Sequence, residues 1–368
     1  MSGTSLDGVD VVLARFEGDP AAVSDAALTV LAHVRVPYPA ALRDSILAIC
    51  HGQALSLPQL GSIDLAVARQ YVQAIRLALT QAALAPGQVA AVGVHGQTVY
   101  HQPLGQDRFT MQIGDPNTIA VGARVPVVAD FRRRDMALGG QGAPLAPGFH
   151  EHWFRHPSST RVILNGGGIA NITALVPGQP TYGFDTGPAN VLMDGWCAQK
   201  TGRAFDDRGA WARSGQVLPP LLDALLAEPY LQLPYPKSTG RELFHLDWLH
   251  ARLAASACLA SADADVMRTL LEFSTRSVAD AVHRVSSVGG ELYVCGGAAM
   301  NTFFLQRLAE LLPRWSVQST AVRGIAPDQV EAIAFASFAR RTLHGLPGNL
   351  PSVTGARRAC ILGALYAV

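Results

Sequence analysis

Asp185, within "GFDTGPANVLMDGW" (residues 183–196), stands where a carboxylate could do chemistry. An aromatic residue precedes it, Thr186-Gly187-Pro188 follows, and Asn190, Asp194 and Trp196 come within the next helical turns. The glycine and proline predict a sharp turn from a strand, "PTYGF", into a helix beginning near Pro188. A carboxylate in that turn has two uses. It can cap the helix by accepting from a free backbone N–H, or it can serve as a base at the mouth of a cleft. The residues alone leave both open.

Phosphate chemistry is suggested by three glycine-bearing turns, "MSGTSLDG" (1–8), "NGGGIAN" (165–171) and "CGGAAMN" (295–301). Glycine lets backbone N–H groups approach a phosphate closely, and Ser2, Thr4 and Ser5 add hydroxyl donors. None of these turns fits a P-loop, nor G-x-G-x-x-G between strand and helix. "HEH" (150–152) reads as a loop feature, because residues two apart do not share a helix face and no third metal ligand is near. The tryptophans read as packing residues.

These residues need elements to hold them. "GVDVVLARFE" reads as a strand entering a hairpin, and "QVAAVGVHG" as a short strand closed by glycine. Helical spacing runs through 40–50, 57–84, 216–227, 266–287 and 327–343. "GDPNTIAVGARVPVVADF" predicts a turn, a short helix and a strand, and the Gly- and Pro-rich stretch after it an ordered loop or hinge. "RVILNGGGIANITAL" predicts strand, glycine turn, strand. Alternating strands and helices in two blocks indicate an α/β protein of two lobes, divided at 131/132 into an N-terminal part (1–131) and a C-terminal part (132–368), with a cleft between lobes as the expected ligand site.

Composition narrows the function. Of 368 residues, 49% are apolar and 15% charged, and the formal net charge is +1. That supports a large core and excludes the basic footprint of a nucleic-acid binder. The five cysteines are dispersed among apolar neighbours and read as reduced thiols of a cytoplasmic protein. No signal-peptide pattern and no run of membrane-spanning length occurs, so no membrane partner is expected.

Taken together, "MSGTSLDGVD", "HGQTVYHQP", "IGDPNTIA", "VVADFRRRDMALGGQGAPLAP", "NGGGIANIT", "GFDTGPANVLMDGW", "YPKSTGRELF" and "PDQVEAIAFA" resemble the anhydro-N-acetylmuramic acid kinases over essentially the whole chain. The resemblance implies two ribonuclease-H-like lobes of the actin, hexokinase and heat-shock ATPase type, with ATP and Mg²⁺ in an interlobe cleft. It implies a substrate, 1,6-anhydro-N-acetylmuramic acid from cell-wall turnover, whose ring is opened by water and whose 6-hydroxyl is phosphorylated. With it, Asp185 is expected to be the base that orients that water. The first phosphate loop would use Gly3, Thr4, Ser5, Asp7, Gly8 and Asp10, the second Gly166, Gly167 and Gly168, and the adenosine side Gly296, Gly297 and Asn301. Asp7 either orients metal-bound water or caps a turn.

The sugar carries a lactyl carboxylate, so Arg132 with its neighbour Asp130 is a candidate clamp, guanidinium gripping carboxylate in bidentate fashion. Gln97 and Thr98 are candidates for the sugar hydroxyls or acetamide, and Glu331 for a hydrogen bond to the sugar. His95 reads either as part of that wall or as a satisfied core histidine. Members of the family carry an apolar strand before "SGTS", whereas this chain starts at Met1, so the first strand of the N-terminal lobe is expected to be missing or truncated. The last residues are expected to pack back on that lobe. The resemblance also implies a homodimer. An ordinary sugar kinase on the same fold, with Asp185 deprotonating a sugar hydroxyl, is the rival enzyme reading. A peptide-binding ATPase has no residues to spare here, and His95 and His101 are spaced wrongly for the H-x-x-x-H pair of carbamoyl-transfer relatives.

Overall fold

The computed structural model describes residues 1–3, 6–21 and 27–368. The chain forms two compact units, Met1–Trp153 with Gln329–Val368 and Phe154–Asp328, each with its own hydrophobic core. This corrects the sequence boundary at 131/132. The stretch after Phe131 stays with the first unit because Asp135, fully buried, ties it down. Its carboxylate accepts from the Gly142 N–H at 2.8 Å, Asn349 Nδ2 at 2.6 Å and the Thr354 hydroxyl at 2.7 Å. Glycine and proline there mark tight turns and not a linker. "HEH" is likewise helical, within Ala146–Phe154.

In the first unit β1 (Gly8–Phe16) pairs antiparallel with β2 (Leu28–Pro37). β3 (Val92–Gly93) leads to the hairpin β4 (Gln97–Gln102) and β5 (Phe109–Ile113), then to β6 (Val127–Ala129). The helix Pro116–Ala123 starts where expected, with Asp115 accepting from the Thr118 N–H at 2.7 Å. Among the described residues β1 and β2 form a sheet of their own. A cavity of about 420 Å³ is lined by Asp10–Phe16 of β1 and by Gln88–Gly93, which includes β3.

The second unit is built on one five-stranded sheet. Its strands are β7 (Arg161–Gly166), β8 (Ile169–Leu175), β9 (Tyr182–Pro188), β10 (Gly290–Cys295) and β11 (Trp315–Ser319). The order is β11-β10-β7-β8-β9; β7, β10 and β11 run parallel, and β8 is antiparallel to both neighbours. That is the ribonuclease-H-like pattern expected from the resemblance. β7 reads as a near-continuous apolar run because it is central and covered on both faces. The helix Asp263–Val285 packs Leu270, Leu271, Phe273, Val278 and Val282 into the core, with Asp263 and Asp265 in its first turn and His283 and Arg284 in its last, as the helix dipole favours.

The chain then returns to the first unit through the helix Val330–Leu343 and β12 (Ala364–Tyr366), which pairs antiparallel with β6. More than the last residues thus packs back. Four of the five cysteines are buried, and Cys50 is exposed.

Candidate active site

Strand register gathers the second unit's chemistry at one end of its sheet. Cys295, Asn165, Asn171 and Asp185 face one another in successive strands, a transverse row across β10, β7, β8 and β9. Strand spacing places Asp185 about 10 Å from Asn165. The glycine turns leave the same strand ends: Gly166–Gly168 after β7 and Gly296–Gly297 after β10. This is the carboxyl end of the parallel strands, where ligands of open α/β sheets bind.

The two turns are packed so closely that side chains would not fit. A Cβ on Gly166 would lie 2.3 Å from the Ala298 Cβ, and one on Gly296, which has φ +74°, 2.5 Å from Asn165 Oδ1. The first turn is clasped by the start of the next helix. Ala189 and Val191 N–H groups donate to the Gly168 carbonyl at 2.9 and 3.0 Å, and Asn190 Nδ2 to that of Gly166 at 3.2 Å. Bare backbone on adjacent strand ends fits a nucleotide that needs close approach without side chains. Asn190 was missed as a site residue; its only sequence signal is its place three residues after Gly187. Asn301 Oδ1 accepts from the Phe304 N–H at 3.0 Å and caps the helix Thr302–Leu311, next to the second glycine turn.

Asp185 lies inside β9, not in a turn, and the following helix begins at Val191 with Asn190 at its N-cap position. The helix-cap role is therefore ruled out. A bulge helps to aim it, since Ala170 faces Gly187 while Asn171 faces Asp185, leaving Thr186 as the extra residue. The segment around Lys237–Glu242 lies along this edge strand. The Asp185 N–H donates to the Lys237 carbonyl at 3.2 Å, and the Thr239 N–H to Asp185 Oδ2 at 3.0 Å. The Tyr230 hydroxyl donates to the Asp185 carbonyl at 2.8 Å. Burial pushes the Asp185 carboxyl up to about 6; the Thr239 bond and the Lys237 ammonium oppose this, and Glu242 adds to it. Asp194 is also pushed up to about 6 by burial, against the pull of Arg241. Thr239, Lys237 and Glu242 were missed as individual residues, although "YPKSTGRELF" holds them.

The first unit brings together a different set. The Arg132 Nε and Nη2 groups donate to His95 Nε2 at 3.0 and 2.8 Å, and Nη1 to the Gly142 carbonyl at 2.7 Å. His95 Nδ1 faces the Ser2 carbonyl at 3.3 Å, which only accepts, so the ring proton sits on Nδ1. Burial, and then the Arg132 charge, hold His95 neutral, far below its usual range. His95 is thus the satisfied buried histidine, and it orients Arg132. Asp130, the neighbour of Arg132 in the expected clamp on the sugar, takes φ +62° and faces Arg133 Nε at 3.5 Å. The carboxylate in Arg132's field is Glu331, whose carboxyl burial pushes up while Arg132 pulls it down.

Gln97 is fully buried and donates to the Gly3 carbonyl at 3.3 Å and the Thr98 carbonyl at 3.2 Å. Thr98 accepts from Gln112 Nε2 at 3.2 Å. Gln97 thus braces Gly3, and Thr98 braces the hairpin. Asp10 pairs with Arg35 Nε at 2.7 Å. Asp7 is exposed, Gly8 opens β1, and Thr4 and Ser5 lie outside the described residues. Among the described residues no group of three carboxylate, histidine or cysteine side chains could hold a metal ion.

A ribonuclease-H-like sheet with bare glycine turns and a raised carboxylate at its strand ends defines a nucleotide-using α/β enzyme. Comparison with known proteins sharpens this. The model of the family "Anhydro-N-acetylmuramic acid kinase" matches residues 1–368. The anhydro-N-acetylmuramic acid kinase of Vibrio parahaemolyticus serotype O3:K6 (strain RIMD 2210633) is 48% identical over 367 residues, 100% of this chain and 96% of that protein. The chain belongs to the anhydro-N-acetylmuramic acid kinase family. Among solved structures it is similar to the activator of the 2-hydroxyisocaproyl-CoA dehydratase from Clostridium difficile with bound ADPNP, with 9% identity, TM-score 0.39, and 89% and 94% of the two chains covered. It is also similar to a ROK family glucokinase from Streptomyces griseus in complex with glucose and AMPPNP, with 14% identity, TM-score 0.37, and 90% and 99% covered.

Proposed function

We propose that this chain uses ATP to convert 1,6-anhydro-N-acetylmuramic acid to N-acetylmuramic acid 6-phosphate, opening the anhydro ring with water in the same cycle. The single observation that carries the reading is Asp185: a strand-held carboxylate with its proton affinity raised to about 6, two strands from a bare glycine turn.

Asp185, ionised at neutral pH, orients a water and accepts its proton as the oxygen bonds to the anomeric carbon. The bond from that carbon to O6 breaks, and O6 takes the γ-phosphoryl group as ADP leaves. The backbone of Gly166–Gly168 and Gly296–Gly297 holds the nucleotide. Mg²⁺ supplies charge neutralisation at the phosphates when bound. Asp7 is its proposed carboxylate, and a Mg²⁺ held chiefly by phosphate and water needs few protein ligands. Arg132, fixed by His95, is the proposed partner of the lactyl carboxylate, and Glu331 of a sugar hydroxyl. Asp130, Gln97 and Thr98 are read as supports for that wall. Peptidoglycan recycling in the cytoplasm, as a homodimer, is the proposed setting. Among the described residues no helix is long and apolar enough to cross a membrane.

The test is ADP release with the anhydro sugar against free N-acetylmuramic acid, in ¹⁸O-labelled water. Turnover of the anhydro sugar, with one solvent oxygen at the anomeric carbon, is expected. Equal turnover of the open sugar would support plain hydroxyl phosphorylation instead.

A further inference from the structure

We propose that the segment Tyr235–Glu242 is a positioning strap that holds Asp185 along the edge strand and fixes two opposing charges, Lys237 and Glu242, around it. The proposal rests on the reading of Asp185 as the base. β9 is the edge strand of its sheet, and the strap follows it, with one backbone bond from the Asp185 N–H to the Lys237 carbonyl at 3.2 Å and one from the Thr239 N–H to the carboxylate at 3.0 Å. It is pinned at its start by aromatic stacking. Tyr235 lies 4.6 Å from Tyr182 and 5.8 Å from Phe184, ring to ring, at interplanar angles of 11° and 9°.

The charges are built in. Lys237 Nζ donates to the Tyr230 and Leu231 carbonyls at 3.1 Å each, and sits 4.6 Å from the Tyr230 ring. The ammonium is thus fixed beside the tyrosine whose hydroxyl holds the Asp185 carbonyl. Glu242 folds back on the strap: a Cβ at Gly240 would lie 2.4 Å from Glu242 Oε2. Position 240 must be bare for that carboxylate to rest one residue from Thr239. The elements around Asp185 bring little further charge. β8 places the uncharged Asn171 opposite. The helix Val191–Thr201 carries Asp194, whose carboxyl burial pushes up while the Arg241 charge of the strap pulls it down. On the helix Asp263–Val285, Arg284 acts on Lys237, whose ammonium burial and that charge hold below its usual range while Asp185 pulls it up. Tyr230 contributes a neutral phenol, pushed far up by burial. By their signs, the Glu242 carboxylate pushes the Asp185 carboxyl up and the Lys237 ammonium pulls it down.

The test is the titration of the Asp185 carboxyl carbon by ¹³C NMR in the full chain, beside the pH profile of kcat/KM for the anhydro sugar. Glu242→Gln removes a like charge and is expected to lower the midpoint. Lys237→Met removes an opposite charge and is expected to raise it, and Lys237→Arg to restore it. At pH 5 the two changes are expected to move kcat/KM in opposite directions by roughly twofold or more each. A midpoint unmoved in either variant, or moved the same way in both, overturns the proposal. Opposite NMR shifts that the rate profile ignores would leave the strap's role standing and remove Asp185 from catalysis.

Discussion

Asp185 is held by opposing effects whose balance can be measured. Burial raises its carboxyl more than the Thr239 N–H and Lys237 lower it, and the result is about 6. A proton on that oxygen blocks acceptance of another from water, so kcat/KM for the sugar is expected to fall about tenfold per pH unit below 6. A flat acid limb down to pH 5 would count against it. The same shift bears on stability. An unfolded aspartate titrates near 3.8, so between 3.8 and about 6 the folded chain binds the extra proton and stability falls as pH rises. Above that window the ionised group costs roughly 1–3 kcal/mol. Asp185→Asn is therefore expected to raise Tm at pH 7, with the gain gone by about pH 4. Asp185 was legible in the sequence as a candidate, but not its role, because cap or base depends on where the strand ends. The pairing of Asp130 with Arg133 was not legible, because it depends on the left-handed conformation at Asp130.

Glycine turns work as a pair, and that pairing gives the next expectation. Gly166→Ala would drive its methyl against Ala298, at 2.3 Å before relaxation. It is expected to weaken binding of a non-hydrolysable ATP analogue by about tenfold or more, read by calorimetry. Ala298→Gly opens the space, so the double variant should recover much of the loss. Loss without recovery would mean that the turn, and not its packing, fails. The strands carrying these turns were readable from apolar runs closed by glycine. Their order was not, because parallel pairing of β7 with β10 joins residues far apart in sequence. The sequence also placed a helix start near Pro188, which is instead the last residue of β9; proline is tolerated on an edge strand.

At the scale of the molecule, the second unit is one continuous stretch of chain, while the first is assembled from both ends. Residues 154–328 alone are expected to fold, giving a cooperative thermal transition; a transition without cooperativity would show dependence on the first unit. Within that stretch Glu272, 1% exposed, accepts from Arg268, Arg276 and Arg307 at 2.8–3.0 Å. Burial pushes its carboxyl up, but the bonds from Arg307, Arg276 and Arg268 outweigh this and hold it at about 2. Its stabilisation is full above pH 4.5 and lost as pH falls through 2. Glu272→Gln is expected to cost roughly 3 kcal/mol at pH 7 and progressively less in acid, measured by thermal unfolding. The two-unit α/β organisation was legible from alternating strand and helix patterns, but not the boundary, since nothing local marks Asp135 as a tie to Asn349 and Thr354. The central claim is that Asp185 activates water for a reaction in which ATP is consumed. A single-turnover measurement of ADP formation with the anhydro sugar, wild type against Asp185→Asn at pH 7.5, tests it most directly. A fall of roughly a thousandfold with ATP-analogue binding unchanged is expected; ADP formed within a few-fold of the wild-type rate would contradict it.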